Sequence, residues 1–188
     1  MKSRVLTVMA AVIAWSVCQS ALAQTIIDTS QPVIDGTVGG LVIGGSSQQK
    51  LGQTVTVERQ GELRAVYLPI ACSSGLLTID IRDVDSTGKP GSTILARRLF
   101  LRSSAPSIGP VFTRFKIGGL NFNPGDRFAI VIANTSGACG MFNGPLGDTY
   151  IAGDAYFDAR PNAPGWIPFS QFANSRRDLP FLSEVLAP

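Results

Sequence analysis

The stretch "LLTIDIRD" (Leu76 to Asp83) decides the fold class, because its apolar and polar residues alternate. In an extended strand, successive side chains point to opposite faces. One face of this stretch is aliphatic and the other is polar: Leu77, Ile79 and Ile81 against Thr78, Asp80 and Arg82. Strands with a single apolar face are typical of antiparallel sheets that are buried on one side. The stretch therefore predicts a half-buried antiparallel strand.

Similar segments recur on both sides of it, about every ten residues, as in sandwiches. They are "QTVTVE" (Gln53 to Glu58), "LRAVYLPI" (Leu63 to Ile70), "STILARRLFL" (Ser92 to Leu101) and "VFTRFKI" (Val111 to Ile117). The segment "RFAIVIAN" (Arg127 to Asn134) is apolar on both faces and is expected at the centre of its sheet. Gly and Pro turns separate these segments. The sequence predicts an all-β protein, an antiparallel two-sheet β-sandwich of about eight to ten strands.

The first 23 residues have the three parts of an export signal. Lys2 and Arg4 provide a positive start, Val5 to Val17 form an apolar run, and a closing "ALA" offers small residues to a signal peptidase. The apolar run is too short for a membrane span, which needs about 20 residues. We predict a signal peptide over residues 1–23 that is cleaved after Ala23. The mature protein would be periplasmic or extracellular, with no stable membrane insertion.

Cleavage leaves 165 of the 188 residues, which is enough for one domain with a single core. Residues 24–50 are glycine-rich and are predicted to be a partly flexible N-terminal segment, and residues 51–188 to be a single β-sandwich domain. Without Lys2 and Arg4, the basic side chains fall from 16 to 14 against 13 acidic ones, a net charge of +1. No nucleic-acid partner is predicted, because such a partner needs a clustered basic face.

Cys72 and Cys139 are the two cysteines that remain after cleavage. In an exported protein such a pair is most simply one disulfide. A redox or metal site is the alternative, but neither cysteine has a cysteine close in sequence and the chain contains no histidine. A bridge that closes a loop of this length stabilises a fold by about 4 kcal/mol in the chain-entropy account, less any strain.

The absence of histidine also bears on catalysis. Ser-His-Asp and Cys-His mechanisms and the usual zinc centres need an imidazole as base or ligand, so these classes are excluded. A glycosidase needs only two nearby carboxyl groups, and the 13 acidic residues leave that alternative open. The chain contains no recognisable catalytic motif. The prediction is a protein that is not an enzyme and has no cofactor.

The segment "DVDSTG" (Asp83 to Gly88) imitates the first half of a calcium-binding loop. Asp83 and Asp85 place oxygens at alternate positions, but Ile94 stands where the acidic ligand at the twelfth position belongs. Aspartate is also common in turns, because its side chain hydrogen-bonds nearby backbone amides. We predict a hairpin turn here, with a structural calcium ion on Asp83 and Asp85 as the weaker alternative.

Aromatic and short polar residues are concentrated in "YIAGDAYFDARPNAPGWIPF" (Tyr150 to Phe169). Flat rings cover the apolar faces of sugars while short polar groups bind the hydroxyls, so this mixture is typical of carbohydrate sites. The candidate ligand-binding residues are Tyr150, Asp154, Tyr156, Asp158 and Trp166. The loop "DARPNAPG" (Asp158 to Gly165) is the expected place for a ligand.

Alternation along this stretch assigns its residues to two faces. It puts Tyr150 and Tyr156 on the wetter face and Ile151 and Phe157 in the core. Trp166 has two interpretations: a ligand contact, or a hydrophobic plug at the end of the sandwich. The choice between a binding platform and an ordinary structural crossover stays open at this point.

The order of these segments resembles the jelly-roll β-sandwich modules of bacterial secreted, surface-anchored and phage-tail proteins. The resemblance covers residues 53–184. It rests on "GKPGSTILA" (Gly88 to Ala96), "FNPGDRFAIVIAN" (Phe122 to Asn134), "YIAGDAYF" (Tyr150 to Phe157) and the closing "DLPF" (Asp178 to Phe181). It implies a jelly-roll fold and a non-catalytic module that binds carbohydrate or holds a larger surface protein together. The sequence departs from the pattern at Phe128, where a tyrosine is usual, and in its cysteine pair.

Three functions follow from these observations. The first is an exported non-catalytic module that binds carbohydrate or a surface, with a glycan as partner. The second is a structural or interaction protein of the cell envelope or extracellular matrix, whose partner is another envelope or surface protein. An apolar surface strip or an open sheet edge would mark this second class. The third is a glycoside-active enzyme.

Overall fold

The computed structural model describes residues 23–37, 40–101, 111–160, 163–171 and 176–188. The predicted signal peptide lies outside these residues, apart from Ala23. Within them the chain forms thirteen β-strands and one short 3-10 turn. The described residues include no helix that is long and apolar enough to cross a membrane. The prediction of an all-β antiparallel sandwich is confirmed.

The strands follow the chain in order. The first seven are β1 (Gln24–Gln31), β2 (Leu41–Gly44), β3 (Lys50–Thr56), β4 (Gly61–Leu68), β5 (Ile70–Cys72), β6 (Leu76–Val84) and β7 (Pro90–Leu101). The other six are β8 (Thr113–Phe122), β9 (Arg127–Asn134), β10 (Ala138–Met141), β11 (Ala155–Ala159), β12 (Ala163–Pro168) and β13 (Phe181–Ala187). Strands β2, β5 and β10 are too short to show alternation, which explains why about eight to ten strands were expected.

The strands pair into three sheets. The largest has the order β12-β11-β3-β9-β6-β7, the second the order β1-β13-β4-β8, and a small third sheet the order β2-β10-β5. One apolar core lies between the two larger sheets, with Phe128, Ile130 and Ile79 from the six-stranded sheet and Phe115 and Phe181 from the four-stranded one. Each of these side chains is at most 1% exposed. The six-stranded sheet therefore has one face in the core and one outer face.

The two most informative segments of the sequence occupy the positions predicted for them. Strand β9 lies between β3 and β6, and its residues Phe128 to Ile132 are each at most 1% exposed. In β6, Leu77, Ile79 and Ile81 lie in the core. The alternating pattern thus identifies the core face of β6, but the expectation of a half-buried strand is wrong at its middle, because Thr78 and Asp80 on the polar face are also buried, with 8% and 2% exposure.

The N-terminal segment contributes strands to the sandwich. Strand β1 pairs antiparallel with β13, and Gln24 lies opposite Ala187. Strand β2 pairs with β10 in the small sheet. The sandwich therefore begins earlier than residue 51, the start expected from composition. Composition does not show this, because the partner of β1 comes from the other end of the chain.

Cys72 on β5 and Cys139 on β10 lie directly opposite each other and form the predicted disulfide. The side-chain amide of Asn134 donates a hydrogen bond of 3.2 Å to the sulfur of Cys139 and another of 2.8 Å to the carbonyl oxygen of Ser74. The bridge joins residues 67 positions apart. The bridge joins β5 to β10, the strand that follows β9, and so holds two strands of the small sheet together.

Candidate functional site

Two of the predicted ligand residues on β11 lie on the outer face of the six-stranded sheet. In β11, Ala155 and Phe157 belong to the core. Because neighbouring residues of a strand point to opposite faces, Tyr156 and Asp158 face outward. Asp154 directly precedes the strand, and its carbonyl oxygen accepts a hydrogen bond from the Thr54 amide of β3. Tyr156 and Asp158 therefore share one surface.

Trp166 lies on the same outer face. Its neighbour Ile167 pairs with Phe157 and packs against the core, which turns Trp166 outward. The indole lies over Gly52: a Cβ atom at Gly52 would be 3.3 Å from Cζ3 of Trp166 and 3.0 Å from Cγ of Pro90. Glycine at this position leaves room for the ring. The side chain stays partly exposed and packs outside the core between the sheets.

The structure corrects the expectation that Tyr150 and Tyr156 are exposed, because both are buried, with 7% and 5% exposure. The Tyr150 ring packs edge-on against Phe181 at 5.1 Å, and its hydroxyl exchanges hydrogen bonds with the backbone of Thr56. The hydroxyl of Tyr156 donates to the carbonyl oxygen of Gly88, 3.1 Å away. Tyr156 is thus on the predicted face, but the β6–β7 hairpin covers it.

Ile151 is the second correction. It was expected in the core, and it is 89% exposed, whereas Phe157 is buried as predicted. Tyr150 to Gly153 form a turn, closed by a hydrogen bond from the Gly153 amide to the Tyr150 carbonyl oxygen, and the strand begins only at Ala155. Alternation does not extend into a turn, so the face assignment fails there.

The two aspartates, Asp154 and Asp158, already have partners. The carboxylate of Asp158 accepts hydrogen bonds from the Gly165 amide at 3.2 Å and from Arg160 at 3.3 Å. Asp154 forms an ion pair with Arg177 at 3.1 Å. The middle of the loop "DARPNAPG", at residues 161–162, lies outside the described residues. Asp158 positions the start of β12, and with it Trp166.

A groove of about 350 Å³ lies on the outer face of the six-stranded sheet. Its lining residues come from β3, β6, β7 and β9 and their ends: Lys50, Leu76, Thr78, Asp80, Arg82, Arg97, Leu99, Val131, Ala133 and Thr135. One row of paired residues runs across the sheet through Gly52, Val131, Asp80 and Arg97. Trp166, above Gly52, therefore stands at one side of the groove.

Asp80 forms the charged centre of the groove. Arg97 donates to both of its carboxylate oxygens, at 2.7 and 2.8 Å, and Arg82 donates two hydrogen bonds to Oδ2, at 2.7 and 3.2 Å. Burial acts to raise the pKa of Asp80, but the hydrogen bonds from Arg97 and Arg82 outweigh it and lower the pKa below its usual value. Asp80 is therefore ionised at neutral pH and holds both guanidinium groups in place.

Sequence reasoning found only part of this groove. The alternation of β6 assigned Thr78, Asp80 and Arg82 to a polar face, and these side chains do line it. Lys50 and Arg97 were not singled out, because they reach the groove through strand pairing between distant segments. The signal in the sequence was the pair of charged residues, Asp80 and Arg82, on the polar face of β6.

The aspartates proposed for calcium are occupied by the turn itself. Oδ1 of Asp85 accepts hydrogen bonds from the amide and hydroxyl of Thr87 and from the amide of Lys89, at 2.7 to 3.0 Å. Asp83 accepts from the Thr93 amide at 2.9 Å. Over the part of the chain that the structure describes, no group of three or more His, Cys, Asp or Glu residues is arranged to hold a metal. The geometry is that of the predicted hairpin turn.

Asp28 and Asp178 are buried carboxyl groups in other parts of the fold. Burial raises the pKa of both. Oδ1 of Asp28 accepts from the backbone amides of Glu58 and Arg59. Oδ2 of Asp178 accepts from the amide of Tyr150 at 2.8 Å. These bonds join segments of the fold, so both carboxyl groups have structural partners.

A second groove, of about 320 Å³, lies at the strand ends of the four-stranded sheet. Glu62 is the charged side chain in its lining, and it already accepts hydrogen bonds from Arg64 and from the Gly119 amide. The groove also borders Ala23, the first described residue. It offers fewer groups for recognition than the groove around Asp80.

The outer face of the six-stranded sheet therefore combines a partly exposed indole with a groove lined by charged side chains. Such a combination suits the binding of a polar ligand with an apolar face. No protein family, curated protein or solved structure matches the chain.

Proposed function

We propose that the protein is an exported, non-catalytic β-sandwich module that binds a carbohydrate on the outer face of its six-stranded sheet. One observation carries the proposal: the partly exposed indole of Trp166 lies over Gly52, and Val131, which pairs with Gly52, lines a groove of about 350 Å³ that contains charged side chains. An aromatic ring can cover the apolar face of a sugar while nearby charged and hydroxyl groups bind its oxygens. Strand residues hold these groups, and strands position side chains more rigidly than loops do.

The partners of the carboxyl groups support a binding role over a catalytic one. A glycosidase needs a carboxyl group with a raised pKa facing the substrate. Asp28 and Asp178 have raised pKa values because they are buried, and both accept backbone hydrogen bonds inside the fold. Asp80 faces the groove but is held ionised by Arg82 and Arg97.

The disulfide supports the exported location, because such bridges form and persist in oxidising compartments. Intact mass of the secreted protein, with and without reductant, tests this part. We expect a chain that begins at Gln24 and gains two hydrogens on reduction. A secreted chain that retains residues 1–23, or one with two free thiols, would contradict it.

A Trp166→Ala variant tests the binding site. If Trp166 covers the sugar, its loss should weaken binding in a glycan screen about 30-fold, the equivalent of about 2 kcal/mol. Ile151→Ala is the matched control, since it removes an apolar side chain that is 89% exposed and lies by the Thr56 end of β3, away from Lys50. Equal binding by both folded variants would rule out this surface.

A specific observation also favours the second function, a structural or interaction protein. Strand β7 is at the edge of the six-stranded sheet, and among the described strands it pairs with β6 alone. It exposes four aliphatic side chains: Ile94, Leu95, Leu99 and Leu101, from 39% to 67% exposed. An open apolar edge invites a partner strand. A Leu101→Lys variant that abolishes pull-down of an envelope protein, while glycans fail to bind, would favour this function.

A further inference from the structure

We propose that the groove around Asp80 selects acidic sugars, and that a uronic-acid carboxylate is the group bound by Arg97 and Arg82. This inference rests on the proposed carbohydrate-binding function and names the class of ligand for that site. It follows from the hydrogen bonds in the groove. Some of its polar groups already have protein partners, and others have donors left for a ligand.

The carboxylate of Asp80 has little capacity left for a ligand. It accepts four N–H bonds, two from each arginine, and an ionised carboxylate has about four acceptor positions. It is also only 2% exposed. A neutral sugar donates its hydroxyl protons to carboxylates and amides, so Asp80 cannot serve as the acceptor that such a ligand needs.

The two guanidinium groups are in the opposite situation. Each has five N–H donors in a rigid fork and uses two of them on Asp80. The side chain of Arg97 is 50% exposed and that of Arg82 16% exposed. Their remaining donors suit a planar carboxylate, which guanidinium groups bind in a bidentate manner.

The net charge of the groove also favours an acidic ligand. Lys50, Arg82 and Arg97 carry three positive charges, and Asp80 carries one negative charge among the lining residues. Asp158, opposite Lys50 in the sheet, is paired with Arg160 and does not change this balance. The groove therefore has a net positive charge, which attracts anions and disfavours cations.

Apolar groups complete the site for a sugar rather than for a small anion. Leu99, which is 59% exposed, and Ala133, which is partly exposed, give the groove apolar surface, and Val131 is buried beneath them. Lys50 and Gly52 are two residues apart on β3, a separation of about 7 Å along the strand. A sugar ring that packs against these apolar side chains would have Trp166 on one side and the guanidinium groups on the other.

Calorimetric titration with two uronic-acid oligomers, oligogalacturonate and oligomannuronate, tests the inference. Each is compared with its carboxyl-reduced form, which keeps the linkage and ring but is neutral. We expect at least one acidic oligomer to bind, its reduced form to bind about tenfold more weakly or worse, and binding to weaken with salt.

Variants assign the effect to the groove. Arg97→Gln should weaken binding of the acidic oligomer about tenfold, because Asp80 keeps Arg82 but the ligand loses one fork. Arg97→Lys should restore only part of the affinity, since it returns the charge without the fork. Arg64→Gln, an exposed arginine of the four-stranded sheet that pairs with Glu62, is the control and should bind as wild type does.

The outcomes separate the two proposals. If neutral sugars bind as well as acidic ones and Trp166→Ala abolishes both, the carbohydrate site stands and the selection of acidic sugars is wrong. If an acidic oligomer binds and Arg97→Gln leaves its affinity unchanged, the assignment to this groove is wrong. If neither the acidic nor the neutral oligomers bind, both proposals fail.

Discussion

Asp178 shows how one residue of the closing motif "DLPF" joins distant parts of the fold. Its carboxylate accepts hydrogen bonds from the amides of Thr149 and Tyr150, both at 2.8 Å, and from the Thr149 hydroxyl. The next residue, Leu179, donates its amide to the side chain of Gln53 on β3 at 2.8 Å. The motif therefore fixes β13 to the turn before β11 and to the centre of the six-stranded sheet.

We expect Asp178→Ala to destabilise the protein by about 3 kcal/mol, because it leaves buried backbone amides without an acceptor. Asp178→Asn keeps one acceptor oxygen and removes a buried charge, so its loss should be clearly smaller. Urea unfolding of both variants at neutral pH measures the difference. If both variants lost the same unfolding free energy, the acceptor oxygen that asparagine keeps would contribute little to stability.

Asp28 is a buried carboxylate whose effect on stability depends on pH. Burial raises its pKa, and its Oδ2 atom has no hydrogen-bond partner among the described residues. Because the folded-state pKa is above the unfolded one, the charged form lowers stability at neutral pH. This penalty shrinks as pH falls through the folded-state pKa and is gone below the unfolded value of about 4.

Asp28→Asn should therefore be more stable than wild type at neutral pH, and the difference should fade on acidification toward pH 4. Asp35→Asn is a control of opposite sign. Hydrogen bonds from Thr37, then that from Arg176, lower the Asp35 pKa to about 2, so its carboxylate adds stability that is lost between about pH 4 and pH 2. Urea midpoints across this range measure both. An Asp28→Asn variant less stable than wild type at pH 7 would contradict the account.

At the scale of elements, the alternation of β6 predicted both its buried and its polar face, because a strand's own sequence determines which residues share a face. The groove on that face needs the pairing of β3, β9, β6 and β7, which links distant parts of the chain. A bulge adds to this: Ile81 lies opposite Ala96 while Arg82 lies opposite Ile94. Composition and alternation carry no signal for such shifts.

Before β11, the alternation of the sequence does not correspond to the two faces of a strand, because the strand begins only at Ala155. The turn of Tyr150 to Gly153 reverses the expected exposure of Tyr150 and Ile151. From Ala155 onward, Phe157 is buried and Tyr156 lies on the outer face, as alternation requires. Tyr156 is nevertheless covered, because the carbonyl oxygen of Gly88 in the β6–β7 hairpin reaches its hydroxyl. Sequence alternation therefore predicts which face a strand residue occupies, but it does not predict whether another element covers that residue.

The contact between β3 and β12 depends on glycine at position 52. In Gly52→Ala, the new methyl group would lie 3.0 Å from Pro90 and 3.3 Å from the indole of Trp166, so both must move. We expect a shifted Trp166 emission and weaker ligand binding. The chain has two tryptophans, Trp15 in the predicted signal peptide and Trp166, so fluorescence of a protein that begins at Gln24 reports on this contact alone. Gly140→Ala on β10, where a Cβ meets nothing within 4 Å, should leave emission unchanged.

The disulfide joins β5 and β10 and closes a loop of 67 residues. Replacing both Cys72 and Cys139 by alanine should lower the unfolding free energy by about 4 kcal/mol, or less if the reduced chain retains structure. Denaturant unfolding measures the loss. Reductant should destabilise the wild type and leave the double variant unchanged. A double variant as stable as the oxidised protein would show that pairing alone fixes the small sheet.

At the scale of the whole molecule, the sandwich gives its two large sheets different outer surfaces. On the four-stranded sheet, Glu184 is paired with Arg114 and accepts a hydrogen bond from Tyr67. The six-stranded sheet instead presents the groove around Asp80 beside Trp166. The shared core fixes this second surface, because each of its strands has its opposite face in the core. The two large sheets thus present different groups of charged side chains on their outer faces.

The most direct test of the carbohydrate site follows Trp166 emission and heat in the same titration with an acidic oligosaccharide. We expect a saturable change in emission with the same dissociation constant as the heat signal, because the ring lies over Gly52, next to Val131 of the groove lining. Binding heat without any change in Trp166 emission would place the ligand elsewhere on the protein. The absence of both signals with this oligosaccharide and also with its carboxyl-reduced form would contradict a carbohydrate site on this sheet.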